Sequence, residues 1–220
     1  MTPEGQQRRV EAWERRAAAV DAHAKALLDA WPRTSRILLV GPPGAGKVMT
    51  ALRLHALLDA QHPLNDAGRM DVAMIYGACR LEPASLGRPR RAPHHTVSTV
   101  GLVGGGLPAR PGDVTLAHHG VLLLDELLEF RRETIDALGM ALRHGRVWRD
   151  AGRAPFDFPA DPALVVATAT PCACGPAPRG CACRPDSALA YQARLAQFAH
   201  LMGLTRIDVE RDWPEEPCDT

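Results

Sequence analysis

Three groups of residues have types and spacings suited to chemistry. Residues 41–47 read Gly-Pro-Pro-Gly-Ala-Gly-Lys, between an apolar run and a helical pattern. Glycines at this spacing let successive backbone N–H groups curl around phosphate oxygens. The helix that follows turns its positive end toward them, and Lys47 supplies a charge for β- and γ-phosphates. The plain alternative is an ordinary Gly/Pro turn between strand and helix. The second group is Asp125-Glu126, directly after the apolar run Val121-Leu-Leu-Leu124. At the carboxyl end of a buried parallel strand, Asp125 would hold the hydration shell of Mg²⁺ and Glu126 would polarise an attacking water. An acidic helix start is the plain alternative there. The third group is Cys172, Cys174, Cys181 and Cys183, two Cys-x-Cys pairs. Alternate residues of an extended segment share a face, so a return through 175–180 would bring four sulfurs together as a structural zinc site. A disulfide or inert buried thiols are the alternatives.

One position of the phosphate loop departs from the pattern. The residue after the lysine should offer a hydroxyl to Mg²⁺, and it is Val48. Thr50 lies about 200° further round the helix and is a poor substitute. Nucleotide binding could survive through Gly41, Gly44, Ala45, Gly46 and Lys47, while Mg²⁺ ligation should weaken. Each ~1.4 kcal/mol of lost transition-state stabilisation is tenfold in rate.

These residues need a scaffold, and the chain outlines one. Val10, Trp13, Ala17, Val20, Ala24, Leu27 and Trp31 recur at helical spacing, with Pro32 closing the segment. Ile37–Val40, Val72–Tyr76, Val121–Leu124 and Leu164–Thr168 read as buried strands, and Ile207–Val209 as a short one. Met49–Ala60 and Ser187–Met202 read as helices, and 78–120 as irregular with short helices. Gly145–Arg149 and Ala154–Phe158 suit a hairpin. Strands alternating with crossovers predict an α/β domain with a parallel sheet flanked by helices. The expected division is an N-terminal helix over 1–32, a nucleotide-binding domain over 33–210 with a Cys-rich loop at 170–184, and a tail over 211–220.

Composition bounds the rest. At 220 residues, 46% hydrophobic and 23% charged, the chain has ordinary globular usage. Twenty-six basic against 25 acidic residues leave +1, too little for a global pull toward nucleic acid or membrane. The polar start and the lack of a long apolar run predict a cytoplasmic protein without a membrane partner.

Together the motifs resemble the magnesium-chelatase-like AAA+ ATPases, in particular their ComM (YifB) branch. The resemblance rests on the loop at 41–47, Arg91-Ala-Pro-His-His-Thr96, Leu102-Val-Gly-Gly-Gly106, Arg110-Pro-Gly-Asp113, Leu116–Glu126, Gly145-Arg-Val147, Thr170–Gly175 and Thr205-Arg-Ile-Asp208, in the family's order. It implies a P-loop NTPase (AAA+) fold, ATP as ligand and a homo- or hetero-oligomeric ring. For the ComM branch it implies a link to DNA branch migration, and for the chelatase branch metal insertion into a porphyrin. Arg206 matches the family's arginine finger, which acts on a neighbour's γ-phosphate; a surface ion pair with Asp208 is the plain alternative. Thr170 stands at the family's sensor asparagine, which positions the lytic water, and Thr205 at an acidic residue. The helical lid that follows the core in the family, and the protease-like domain that precedes it in the ComM branch, are expected to be absent.

Arg88, Arg90 and Arg91 cluster before His94-His95, and Arg143, Arg146, Arg149 and Arg153 surround Trp148. The second group could track a DNA backbone or form a solvated basic face. His94, His95, His118 and His119 read as structural histidines with no catalytic role. Two functions follow: an ATP-binding AAA+ core with weak hydrolysis linked to DNA processing, or a catalytically degenerate nucleotide-binding or scaffold module partnering a complete AAA+ protein.

Overall fold

A computed structural model describes residues 3–82, 87–149, 155–174 and 183–210. The chain opens with α1 (Pro3–Ala30), β1 (Arg36–Val40), α2 (Lys47–Gln61) and α3 (Asp66–Ala78). The next stretch holds β2 (Arg90–Arg91), α4 (Thr99–Val103), β3 (Gly104–Gly105), β4 (Arg110–Pro111) and α5 (Asp113–Leu116). Then come β5 (Val121–Leu124), a 3₁₀ turn at Leu127–Glu129, α6 (Arg132–His144), β6 (Arg146–Arg149) and β7 (Phe156–Pro159). The last elements are β8 (Leu164–Ala169), α7 (Pro185–Met202) and β9 (Thr205–Asp208).

The centre is a five-stranded sheet in the order β2-β5-β8-β1-β9, parallel throughout. Its inner strands are almost wholly apolar because both faces are covered. Ile37, Leu39, Val121, Leu123, Leu164 and Val166 face a cluster with Ala24, Leu27 and Leu28 of α1 and Ala51, Leu54 and Leu58 of α2. Leu38, Val40, Leu122, Leu124, Val165 and Ala167 face the other cluster, with Leu102, Ile135, Leu138, Leu195 and Phe198. The period of two along each strand sorts the residues between the faces. The α/β architecture anticipated from sequence is present. Among the described residues no helix is long and apolar enough to cross a membrane.

Two expectations need correction. Val72–Tyr76 is not a strand but the middle of α3. Asn65 caps that helix, its side chain accepting a hydrogen bond from the Gly68 N–H, and Val72 and Tyr76, four residues apart, are buried while Met70 and Met74 are exposed. The outer strand position goes instead to Arg90–Arg91, inside the segment expected to be irregular. The apolar stripe of α1 also exceeds its use: Val20, Ala24 and Leu27 are buried, but Val10 and Trp13 are 50% and 66% exposed. The hairpin pairs β6 with β7, Val147 opposite Phe158; Arg153, expected to join it, lies outside the described residues.

Candidate functional site

The loop at 41–47 leaves β1 at the carboxyl edge of the sheet and enters α2, so Lys47 is the first helical residue. Gly41 is held between two strands: its N–H donates to Ala169 O at 3.1 Å, and a Cβ there would lie 2.3 Å from Val209 O. Gly46 sits at φ 78°, a conformation that suits glycine, and starts the helix. Lys47 is buried, and its Nζ donates to Gly41 O at 2.7 Å and Pro42 O at 3.1 Å, closing the loop on itself. Burial lowers the Lys47 pKa, while the charges of Glu126 and Asp125 oppose that.

Pro43, Gly44, Ala45, Gly46, Lys47 and Val48 form one wall of a cleft of about 270 Å³; Asp125 and Glu126 form another. Two elements nearly eighty residues apart are thus brought to one cavity by strands that end at the same edge. Sequence spacing alone did not reveal what fixes the two carboxylates. Register places Leu124 opposite Ala167, so Asp125 falls beside Thr168, which is fully buried at the end of β8. Thr168 Oγ1 donates to Asp125 Oδ1 at 2.6 Å and accepts from the Glu126 N–H at 3.0 Å. Glu126 takes φ 52°, uncommon for a non-glycine residue, and one hydroxyl anchors the backbone at that bend. Burial raises the Glu126 pKa, Lys47 opposes the rise, and Asp125 and Glu129 add to it. A carboxylate with raised proton affinity suits a general base.

Arg16 of α1 also lines the cleft, its Nη2 3.4 Å from Gly44 O. Nothing in the local pattern marked it, because it is one of many charged residues on the polar face of its helix.

Val48 borders the cleft, half-buried and without an oxygen. Thr50 offers no replacement: it is fully buried, and its Oγ1 has no hydrogen-bond partner among the described residues. The loop therefore suits a nucleotide's phosphates by its amides and Lys47, and the cleft offers the carboxylates of Asp125 and Glu126 but no hydroxyl at position 48.

Thr170, just past β8, spends its hydroxyl on other groups. Oγ1 donates to Cys172 O at 3.0 Å and lies 2.9 Å from the Tyr191 hydroxyl of α7. Arg206 is exposed on the edge strand β9, outside its own cleft. Its guanidinium pairs with Asp208 Oδ1 at 2.8 and 3.0 Å and reaches Gln192 Oε1 at 3.1 Å. The ion pair with Asp208 raised from the sequence is therefore present, on an exposed edge strand.

Cys172, Cys174 and Cys183 converge, with Sγ of Cys172 3.0 Å from Cys174 and 3.1 Å from Cys183; Cys181 lies outside the described residues. Those separations exceed the ~2.05 Å of a disulfide bond. Three soft donors at one point fit zinc.

The basic groups are largely committed to the fold. Arg88 donates to His62 O and His119 O and lies over Trp31, and Arg91 pairs with Asp113 at 2.6 Å. In the hairpin, Arg146 pairs with Asp157 and lies 5.4 Å from the Trp148 ring, while Arg143 donates to Leu201 O.

The sequence matches the family described as magnesium chelatase, subunit ChlI, over residues 20–217. It is 37% identical to the uncharacterized protein YifB of Salmonella typhimurium over 169 residues, 73% of this chain and 32% of that one. It is 41% identical to the competence protein ComM of Haemophilus influenzae over 149 residues, 66% of this chain and 29% of that one. The chain thus spans about a third of the length of these relatives. Among solved structures, NtrX from Brucella abortus in complex with ATP superposes with a TM-score of 0.52 at 20% identity, covering 90% of this chain and 37% of that one.

Proposed function

The chain belongs to the magnesium chelatase (subunit ChlI) family of AAA+ proteins, and from that membership we propose that it binds ATP in the cleft and hydrolyses it slowly. The observation that carries this reading is the buried Thr168 hydroxyl that locks Asp125 and Glu126 at the rim facing the amide loop. The loop amides and the α2 N-terminus would hold the β- and γ-phosphates, with Lys47 leaving its loop carbonyls for them. Glu126, its proton affinity raised, would accept the proton of the attacking water. Mg²⁺ would supply charge neutralisation at the phosphates, with Asp125 as its carboxylate and no hydroxyl at Val48, so turnover should be weak.

Arg206 would act in trans within an oligomeric ring, exchanging Asp208 for a neighbour's γ-phosphate; Thr170 would contribute through its hydroxyl only after leaving Cys172 O. Cys172, Cys174 and Cys183, with Cys181, would hold a structural zinc, which four thiolates close to further ligands. A link to DNA processing rests on the likeness to a competence protein and on the hairpin around Trp148. The second reading, a catalytically degenerate nucleotide-binding or scaffold module that serves a complete AAA+ protein, is favoured by Val48 and by Thr170, whose hydroxyl is engaged by Cys172 O and Tyr191.

Titration with ATP in Mg²⁺ and in chelator, followed by steady-state hydrolysis, tests the proposal. Binding with slow turnover that Glu126→Gln abolishes is expected. Binding without turnover, or no binding, would overturn this proposal and move the protein to the second reading.

A further inference from the structure

We propose that Asp71, His118 and His119 form a binding site for a divalent late-transition-metal ion of the zinc class, at the end of β5 away from the nucleotide cleft. Asp71 lies on α3, and the histidines occupy the turn between α5 and β5. One ligand atom from each of the three lies within 4.8 Å of the others. His119 Nε2 is already 3.0 Å from Asp71 Oδ2, the spacing of two neighbouring ligands held at about 2.0–2.2 Å from one ion. The remaining gap closes by side-chain rotation. Two imidazole nitrogens and a carboxylate oxygen are the donor set preferred by zinc and its first-row neighbours and a poor set for Mg²⁺ or Ca²⁺.

The site is built rather than assembled by chance on a mobile surface. Consecutive residues in ordinary extended or helical backbone point their side chains apart. Here His119 takes φ 60°, and the two ring centroids lie 3.9 Å apart with their planes tilted by 36°. The turn that imposes this is tied on every side. The His118 N–H donates to Thr115 O, the His119 N–H to Asp161 O, the Gly120 N–H to Ala117 O, and Arg88 Nη1 donates to His119 O at 2.6 Å. Gly120 admits the turn because a Cβ there would fall 1.9 Å from Pro89 O. Asp71 is positioned with equal care: Val72 and Tyr76 of its helix are buried against Leu64 and Leu116, and the Tyr76 hydroxyl donates to Leu116 O at 3.0 Å.

A second feature points the same way. His118 Nδ1 is buried and has no hydrogen-bond partner among the described residues. The His118 ring meets the Asp161 backbone carbonyl, yet an ion pair between His119 and Asp71 leaves its Nδ1 unpaired, whereas a metal ion would use all three groups. A bound ion would staple α3 to the lead-in of the strand that carries Asp125 and Glu126.

The test uses the full chain after chelation, titrated with Zn²⁺ by calorimetry and with Co²⁺ by absorbance. Asp71 is 53% exposed and His119 32% exposed at their side chains, so Asp71→Asn and His119→Gln should keep the fold, checked by circular dichroism. Wild type should take up one more equivalent of Zn²⁺ than either variant, or bind it at least about tenfold more tightly. The Co²⁺ difference spectrum between wild type and variant should show the weak visible bands of nitrogen and oxygen ligation, without the thiolate charge-transfer bands of the cysteine cluster. Equal stoichiometry and affinity in wild type and both variants would overturn the proposal and leave a surface ion pair.

Discussion

Thr168→Val removes one hydroxyl and keeps the side chain's shape, so it isolates the link between β8 and the two acidic residues. Thr168 is fully buried, accepts the Glu126 N–H and donates to Asp125. Asp125 is exposed and can recover a hydrogen bond from water, so its loss contributes little to stability. The Glu126 N–H is part-buried at the strand end; a fully buried unsatisfied donor costs about 1–3 kcal/mol, and a partly exposed one falls at the low end. Taking ~1 kcal/mol, the melting temperature of a chain this size should fall by roughly 2–4 °C. The functional effect should be larger than stability alone implies, because Glu126 would no longer be held at its φ of 52° nor Asp125 at the rim. Differential scanning calorimetry, with ATP titrations in Mg²⁺ and in chelator, reads both effects. Thr168→Ser, which keeps the hydroxyl, should restore the Mg²⁺-dependent part of the affinity. If Thr168→Val melted within a degree of wild type and kept its Mg²⁺ dependence, the hydroxyl would not be what organises the site.

The same geometry sets further outcomes. Because burial raises the Glu126 pKa, the folded state holds that proton to higher pH than the unfolded chain does. Its contribution to stability is full below the ordinary glutamate value and lost as pH rises through the folded value, and Glu126→Gln should remove that decline in pH-dependent melting. Any hydrolysis should lose rate on the acid side at a pH above the ordinary glutamate range, since the base must be ionised. Val48→Thr should raise Mg²⁺-dependent turnover at least about tenfold, equivalent to ~1.4 kcal/mol, in a steady-state phosphate-release assay. Gly41→Ala should lower the melting temperature by several degrees, at about 1–3 kcal/mol, because its Cβ would meet Val209 O at 2.3 Å. Cys172→Ser and Cys174→Ser should each lose one equivalent of zinc by elemental analysis relative to wild type, if the cluster holds metal.

Local chemistry made part of this protein readable from its residues alone. The loop at 41–47 declares itself because glycine conformations, a lysine and a helix start are all determined within seven residues. The acidic pair declares itself by ending an apolar strand. Short-range rules failed at α3, where Val72–Tyr76 has a buried strand's composition, yet the Asn65 cap and burial at every fourth residue made it helical. They also credited α1 with a stripe longer than the sheet it covers, leaving Trp13 in solvent.

What the tertiary structure alone decided are the contacts between residues remote in the chain. Parallel register, not sequence distance, sets Thr168 beside Asp125, and the packing of α1 on α2 brings Arg16 to the Gly44 carbonyl. Packing of β9 near α7 adds Gln192 to the Asp208 partner that Arg206 has two residues along. A hydrogen bond between strands depends on where two segments end after each has found its core. That position is a property of the whole sheet, and no window of sequence contains it.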